Sequence, residues 1–445
     1  MFKLFTVLFI LLHAVSYAQN FIDFKQNDKK TAFSGKNELN YNVQLKKGEV
    51  YLIKVYQENI DIEINLYDEA GEKILSTDLA DGNKGTDKLE YEPEKGGLYK
   101  INIKSVSPKP SPDGVISMNL ARLSKSVLER RRKIAKALEP ENAKDVSTID
   151  IKHFWEAFDA LKAAKTYSDS VNIIQSKYLD RATNGLKEFA KVRYFSPEFY
   201  TDRIKKYKKF YESVRQNTLL FSDSERLSDI IRQTRSLYPN GKEARIAITI
   251  GPMSSGGTIS NNYVLIGLEM IAGDKNCDVS EITNENLRSD ILARSDQADV
   301  LNFVRETIAH EYIHTQQRKM NPTACECVLL ENVIKEGVAS FISEVLIMKR
   351  NQETGSRASL YATAHEKELW QEMKSELCTK NLQNWLFNAA SSKNRPGDLG
   401  YRIGYKIAES FYHKSADKKM AIKEMIETDN PLVFLDKSEY DLKFR

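Results

Sequence analysis

Leu301-Asn-Phe-Val-Arg-Glu-Thr-Ile-Ala-His310-Glu-Tyr-Ile-His314-Thr-Gln-Gln317 is the stretch on which the reading of this 445-residue chain turns. Leu301, Val304, Ile308 and Tyr312 fall at i, i+3, i+7 and i+11, a single apolar stripe of one helix. Asp296 is placed to cap its start, and Asn321-Pro322 to end it. Residues four apart in a helix stack one turn above the other, so the imidazoles of His310 and His314 can point at one ion. Glu311 is rotated by about 100° from His310, beside that ion rather than on it. Beyond residue 18 the chain has only five histidines, and two of them form this pair.

A catalytic zinc takes three protein ligands and keeps a fourth position open. Twenty-two residues after His314 comes Glu336-Gly337-Val338-Ala339, inside a second helical pattern whose apolar face includes Leu330, Val333, Ile334, Phe341 and Val345. Glu336 interrupts that apolar neighbourhood and is the expected third ligand. Glu331 and Glu344 compete for the role. Gly337 costs about 1 kcal/mol against Ala in a helix interior. It makes sense there if the His310 and Glu336 helices must approach closely for the carboxylate to reach the ion.

Working outward, the first part of the chain has a different period. Tyr51–Tyr56, Ile60–Leu66 and Tyr99–Ile103 alternate apolar and polar residues as half-buried strands do. Turn signals separate them at Lys47-Gly48, Glu69-Ala-Gly71, Asp81-Gly-Asn83 and Lys95-Gly-Gly97, and a Pro-rich loop follows at Ser107–Pro112. Short strands at this spacing indicate an antiparallel β-sandwich. After Leu123 the period becomes helical. Arg130–Lys133 reads as a solvated helix face, and Phe154, Phe158 and Leu161 share one buried side. Strands are expected again at Arg245–Ile250 and Tyr263–Gly267, with Ser254-Ser-Gly-Gly-Thr258 between them.

Hydrophobic content of 41%, charge of 29% and a net charge of +4 are those of an ordinary soluble globular protein and argue against a nucleic-acid partner. Lys3, the apolar run Leu4–Val15 and the small residues around Ser16-Tyr-Ala18 form an export signal with mature start near Gln19. No cysteine follows the apolar run, which argues against a lipid anchor at this end. No later stretch is apolar enough to cross a membrane. Once exported, Cys277, Cys325, Cys327 and Cys378 can form up to two disulfides in three possible connectivities, or stay as thiols. The expected organisation is a signal peptide at 1–18, a β-sandwich at 21–124, a helical linker at 125–149 and a mostly helical α+β domain at 150–445.

Leu45-Lys-Lys-Gly48, Ile62 to Asp68 with Gly71, and Gly97-Leu-Tyr99 resemble the bacterial pre-peptidase C-terminal domain, a small sandwich attached to many secreted peptidases. His-Glu-x-x-His followed by Glu336-Gly-Val-Ala339 is similar to the gluzincin arrangement of metallopeptidases. More narrowly, residues from about 150 to 440 resemble a bacterial family of predicted zinc-dependent proteases, related to a gliding-motility lipoprotein family of the Bacteroidetes. The segments that carry this are Tyr178-Leu-Asp180 with Gly185-Leu186, Leu237-Tyr-Pro239, Ser255–Thr258 with Leu265–Met270, His310–Gln317, Glu336-Gly337 and Gly400–Tyr405.

The resemblance implies a gluzincin-like domain that holds Zn²⁺ on His310, His314 and Glu336, with Glu311 as general base in peptide hydrolysis. Gluzincins often place a Tyr or His beyond the glutamate ligand to steady the oxyanion. Tyr401, Tyr405 and His413 are the candidates here, with Tyr401 in the family-like run. Gly256, Gly257 and Thr258 are expected to offer a strand edge to an extended peptide or protein substrate. His153 and His365 read as structural. The alternative is a non-catalytic exported accessory or binding protein on a peptidase scaffold, as in gliding motility. Either way the chain is expected outside the cytoplasm, in the periplasm, on the cell surface or secreted.

Overall fold

The computed structural model describes residues 20–21, 30–34, 38–78, 83–106, 113–260, 262–320, 327–347, 357–389 and 391–444. The expected signal peptide, the Pro-rich loop 107–112, the helix stop at 321–322, Cys325 and residues 81–82 of one expected turn lie outside them. The chain divides into two compact units, Met1–Arg132 and Lys133–Arg445.

Period-two alternation builds the first unit. Its strands are β1 (Asn20–Phe21), β2 (Thr31–Phe33), β3 (Glu38–Leu45), β4 (Tyr51–Glu58), β5 (Ile62–Tyr67), β6 (Lys73–Thr77), β7 (Lys84–Tyr91), β8 (Gly97–Ser105) and β9 (Gly114–Arg122). They form two sheets, β1-β3-β8-β5-β6 and β2-β9-β4-β7. The pairs are antiparallel except for the short β1, which runs parallel to β3. Tyr51, Ile53 and Val55 of β4 and Ile62, Ile64 and Leu66 of β5 point into one shared core. The turns at Gly48 (φ 77°) and Gly71 (φ 84°) use a backbone conformation that glycine adopts without steric cost.

Helix α1 (Lys125–Ala143) spans the division between the units. Val146–Ser147, within the segment read as linker, form β10 and pair with the second unit's sheet. That sheet has the order β10-β11-β13-β12, where β11 is Arg245–Thr249, β12 is Gly257–Ser260 and β13 is Tyr263–Gly267. The first three run parallel, and β12 lies antiparallel to β13 at the edge. Between β10 and β11 come α2 (Ile149–Ala160), α3 (Tyr167–Lys177), α4 (Asn184–Val192), α5 (Pro197–Lys206), α6 (Lys208–Leu219) and α7 (Glu225–Leu237). After it come α8 (Leu268–Ile271), α9 (Glu285–Leu292), α10 (Gln297–Gln316), α11 (Val328–Leu346), α12 (Arg357–Ala364), α13 (Glu366–Lys374), α14 (Leu399–Lys414), α15 (Lys418–Glu427) and α16 (Pro431–Ser438). No helix among the described residues is long and apolar enough to cross a membrane.

The His310 helix begins as its sequence dictates. Asp296 accepts the backbone N–H groups of Ala298 and Asp299, and the helix ends at Gln316. Val304, Ile308 and Tyr312 are fully buried, and Leu301 packs against the same core. The glycine in α11 has a different partner from the one expected. A β-carbon on Gly337 would sit 1.9 Å from the carbonyl carbon of Gly404, so the close approach joins α11 to α14 and not to α10.

Cys327 and Cys378 form a disulfide, and Cys277 is a buried free thiol. The segment around Cys378 also accepts the first amides of α11: Leu329 N–H donates to Thr379 O (3.0 Å) and Leu330 N–H to Leu377 O (3.2 Å).

Candidate metal centre

Helices α10 and α11 bring His310, His314 and Glu336 together. Nε2 of His310 and Nε2 of His314 stand 3.0 Å apart. Oε2 of Glu336 lies 3.2 Å from the first and 3.1 Å from the second. Glu331 and Glu344 share α11 but stay outside this trio.

The outward nitrogens are engaged. Ser340 donates its hydroxyl hydrogen to the carbonyl of Glu336 (2.9 Å), leaving its oxygen to accept from Nδ1–H of His310 at 3.3 Å. Gln317 donates its amide to the carbonyl of Lys335 (2.8 Å) and accepts from Nδ1–H of His314 at 2.7 Å. With Nδ1 as the donor in each ring, both Nε2 lone pairs turn toward the carboxylate, and engagement of the outer ring nitrogen in this way is how metal-ligating histidines are held. Three lone-pair atoms this close repel one another unless a cation stands among them. Ligands at 2.0–2.2 Å from a tetrahedral zinc are about 3.3 Å apart. The donor set and its spacing fit that ion.

Charge follows the same geometry. Without an ion the histidines can instead offer Nε2–H: burial opposes ionisation of Glu336, but hydrogen bonds from His310 and His314 outweigh it and hold the carboxyl well below the usual range. Burial disfavours protonated His314, yet the Glu336 carboxylate raises its pKa on balance.

Glu311 flanks the trio. Its carboxylate lies against the edge strand: a β-carbon on Gly257 would come within 2.8 Å of Glu311 Cγ and Oε1. The chain entering this strand is held rigidly. Tyr178 and Tyr200 donate to Ile250 O (2.8 and 3.1 Å), and Tyr211 donates to Gly251 O (2.7 Å). The buried Glu269 carboxylate accepts N–H from Gly251 and Met253. Gly257 and Thr258 belong to β12, while Gly256 precedes it and accepts the Gly267 N–H (3.1 Å).

Tyr401 is the distal aromatic that reaches the centre. Its ring centroid lies 6.2 Å from that of His310, and the Glu336 charge acts on its hydroxyl. Burial, reinforced by the charge of Glu336, pushes its pKa far up, so the hydroxyl stays a donor. Tyr405 feels the charge of Glu344 and packs on Phe341 instead. His413 is exposed about 18 Å further along α14. His153 is buried 3.7 Å from Asp150, and His365 stacks on Tyr361, both away from the trio. Sequence reading missed Gln317 and Ser340. Their spacing, three residues after His314 and four after Glu336, is the only signal that could have found them.

Fold and site together define a class: a β-sandwich followed by a mostly helical domain with a His-His-Glu centre. The family model described as gliding motility protein GldB matches residues 137–442, and the chain belongs to that family. No curated protein matches the chain. Among solved structures, it is similar to PliG of Aeromonas hydrophila, a periplasmic inhibitor of g-type lysozyme, over 24% of this chain and 96% of that one (16% identity, TM-score 0.20). It is also similar to the pre-peptidase C-terminal domain of a Bacillus anthracis collagenase, over 23% and 94% (17% identity, TM-score 0.18).

Proposed function

We propose that this chain acts in the cell envelope as an exported gliding-motility-type protein whose helical domain holds one zinc ion on His310, His314 and Glu336. One observation carries the metal: two Nε2 lone pairs and a carboxylate oxygen converge at 3.0–3.2 Å while both Nδ1–H groups are engaged elsewhere. Family membership supports the motility-linked role and favours it over hydrolysis as the chain's main task. Metal analysis of the purified mature protein tests the centre. Near-stoichiometric zinc is expected in wild type and should be lost in Glu336→Ala and His314→Ala. No zinc in wild type, even after reconstitution, ends the proposal.

A second reading, gluzincin-type peptide hydrolysis at the same centre, is favoured by the placement of Glu311 between the trio and the β12 edge. Bound zinc supplies a Lewis acid and lowers the pKa of a water to about 7. Glu311 takes up a proton on its carboxylate and returns it to the leaving amine nitrogen. Tyr401 donates its O–H toward the carbonyl oxygen as charge develops there. The unpaired edge of β12 aligns an extended peptide by backbone hydrogen bonds. Cleavage of a peptide library by wild type, abolished in zinc-loaded Glu311→Gln, is the expected result under this reading. Zinc-loaded wild type without turnover leaves the motility role without hydrolysis.

A further inference from the structure

Phe387 is 63% exposed, the most exposed of the large hydrophobic side chains described, yet it does not sit on a loose segment. Trp385 and Leu386 before it are buried, and Gly400 N–H donates to Trp385 O (2.8 Å). On its other side Asn388 and Asp398 exchange bonds: Asn388 N–H donates to Asp398 Oδ1 (2.8 Å), and Asp398 N–H donates to Asn388 Oδ1 (2.6 Å). Asn286 donates to Ala389 O (2.6 Å) and fixes the next residue. Within this pinned loop Phe387 has φ 57°, a left-handed conformation that a bulky aromatic side chain adopts only under constraint. The loop thus holds a phenyl ring out in water against both solvation and backbone preference.

The ring is also placed. It meets Tyr401 edge-on, with centroids 6.1 Å apart, and Tyr401 in turn lies 6.2 Å from His310. An aromatic path therefore leads from solvent to the His-His-Glu trio.

We propose that Phe387 is the apolar wall of a ligand site beside the metal centre, taking the aromatic or branched aliphatic side chain of a bound peptide segment. This rests on the metal-centre reading and holds whether or not the segment is cleaved. Phe387 presents an apolar ring, Tyr401 presents a hydroxyl, and β12 presents backbone donors and acceptors. That combination suits a peptide with one large apolar residue next to the carbonyl that meets the metal.

Calorimetry on the zinc-loaded mature chain tests it with two metal-directed probes, acetohydroxamate and 3-phenylpropanohydroxamate. Burying a phenyl group on the Phe387 ring should make the second bind wild type at least tenfold tighter. Phe387→Ser should erase that advantage while leaving zinc content and acetohydroxamate affinity unchanged, and Phe387→Leu should keep most of it. Equal discrimination by wild type and Phe387→Ser would overturn the assignment of Phe387 and leave the metal centre standing. Failure of wild type to bind zinc would remove the metal-site reading and this wall with it, whereas a zinc-loaded chain that binds neither hydroxamate would overturn the wall alone.

Discussion

Gly337 of α11 and Gly404 of α14 touch backbone to backbone: a β-carbon on Gly404 would lie 1.9 Å from Val333 O and 3.0 Å from the α-carbon of Gly337. No side-chain rotation relieves such a contact, so the helices themselves must part. Because Glu336 directly precedes Gly337, parting them also moves a proposed ligand.

Gly337→Ala should therefore cost more than about 3 kcal/mol, beyond ordinary overpacking, and should weaken zinc retention. Urea unfolding and metal content of the same preparation check both effects. A variant as stable as wild type would mean that the contact is not tight.

Gln317→Ala removes the acceptor that fixes the His314 ring without touching a ligand. Zinc affinity should fall roughly 10- to 100-fold, with the fold intact. Competitive chelator titration measures this. An unchanged affinity would make the Gln317–His314 bond incidental.

Much of this arrangement was legible in the sequence, and the exceptions have a common cause. β4, β5 and β8 were readable because one buried face imposes strict alternation, and α10 because its stripe and its Asp296 cap agree. The meeting of His310, His314 and Glu336 was readable because the two histidines share one helix turn and the glutamate stands alone in an apolar stretch. What stayed hidden depends on residues distant in the chain. Gly337 meets a glycine 67 positions away, and only one of the possible cysteine pairings, Cys327–Cys378, appears among the described residues. The edge position of β12 depends on β10 and β11 pairing in parallel. Gln317 and Ser340 are ordinary polar residues until their rotamers are known.

Glu269 should make stability depend on pH. Burial raises its carboxyl from the ordinary 4.5 to about 7, against the opposing bonds from Gly251, Met253 and its own backbone. A carboxyl raised in the folded state contributes stability that is complete below pH 4.5 and lost as pH rises through about 7. The displacement is worth about 3 kcal/mol. In zinc-loaded protein, urea unfolding should show that loss between pH 5 and 8 in wild type but not in Glu269→Gln. Parallel profiles would remove Glu269 as the cause.

If the centre hydrolyses peptides, Tyr401→Phe should lower kcat by about 10²–10³ at unchanged zinc content, whereas Tyr405→Phe should leave kcat within a few-fold. Steady-state kinetics with matched metal analysis separates the two tyrosines. Equal losses in both would point to helix packing as the common origin.

The Cys327–Cys378 bond closes a covalent ring across 51 residues, and the ring contains Glu336 and Ser340 but neither histidine. The His-His-Glu trio is thus divided between a linear part of the chain and a cyclic one. Before oxidation the carboxylate belongs to a helix whose first turn is tethered by core packing and by two amide bonds to Leu377 and Thr379. Closing the ring shrinks the set of unfolded conformations by an amount worth roughly 4 kcal/mol. If the trio holds zinc, the ring favours one order of events: thiol oxidation first, then metal capture. A chain kept in the reducing cytoplasm would meet zinc with its third ligand least well held.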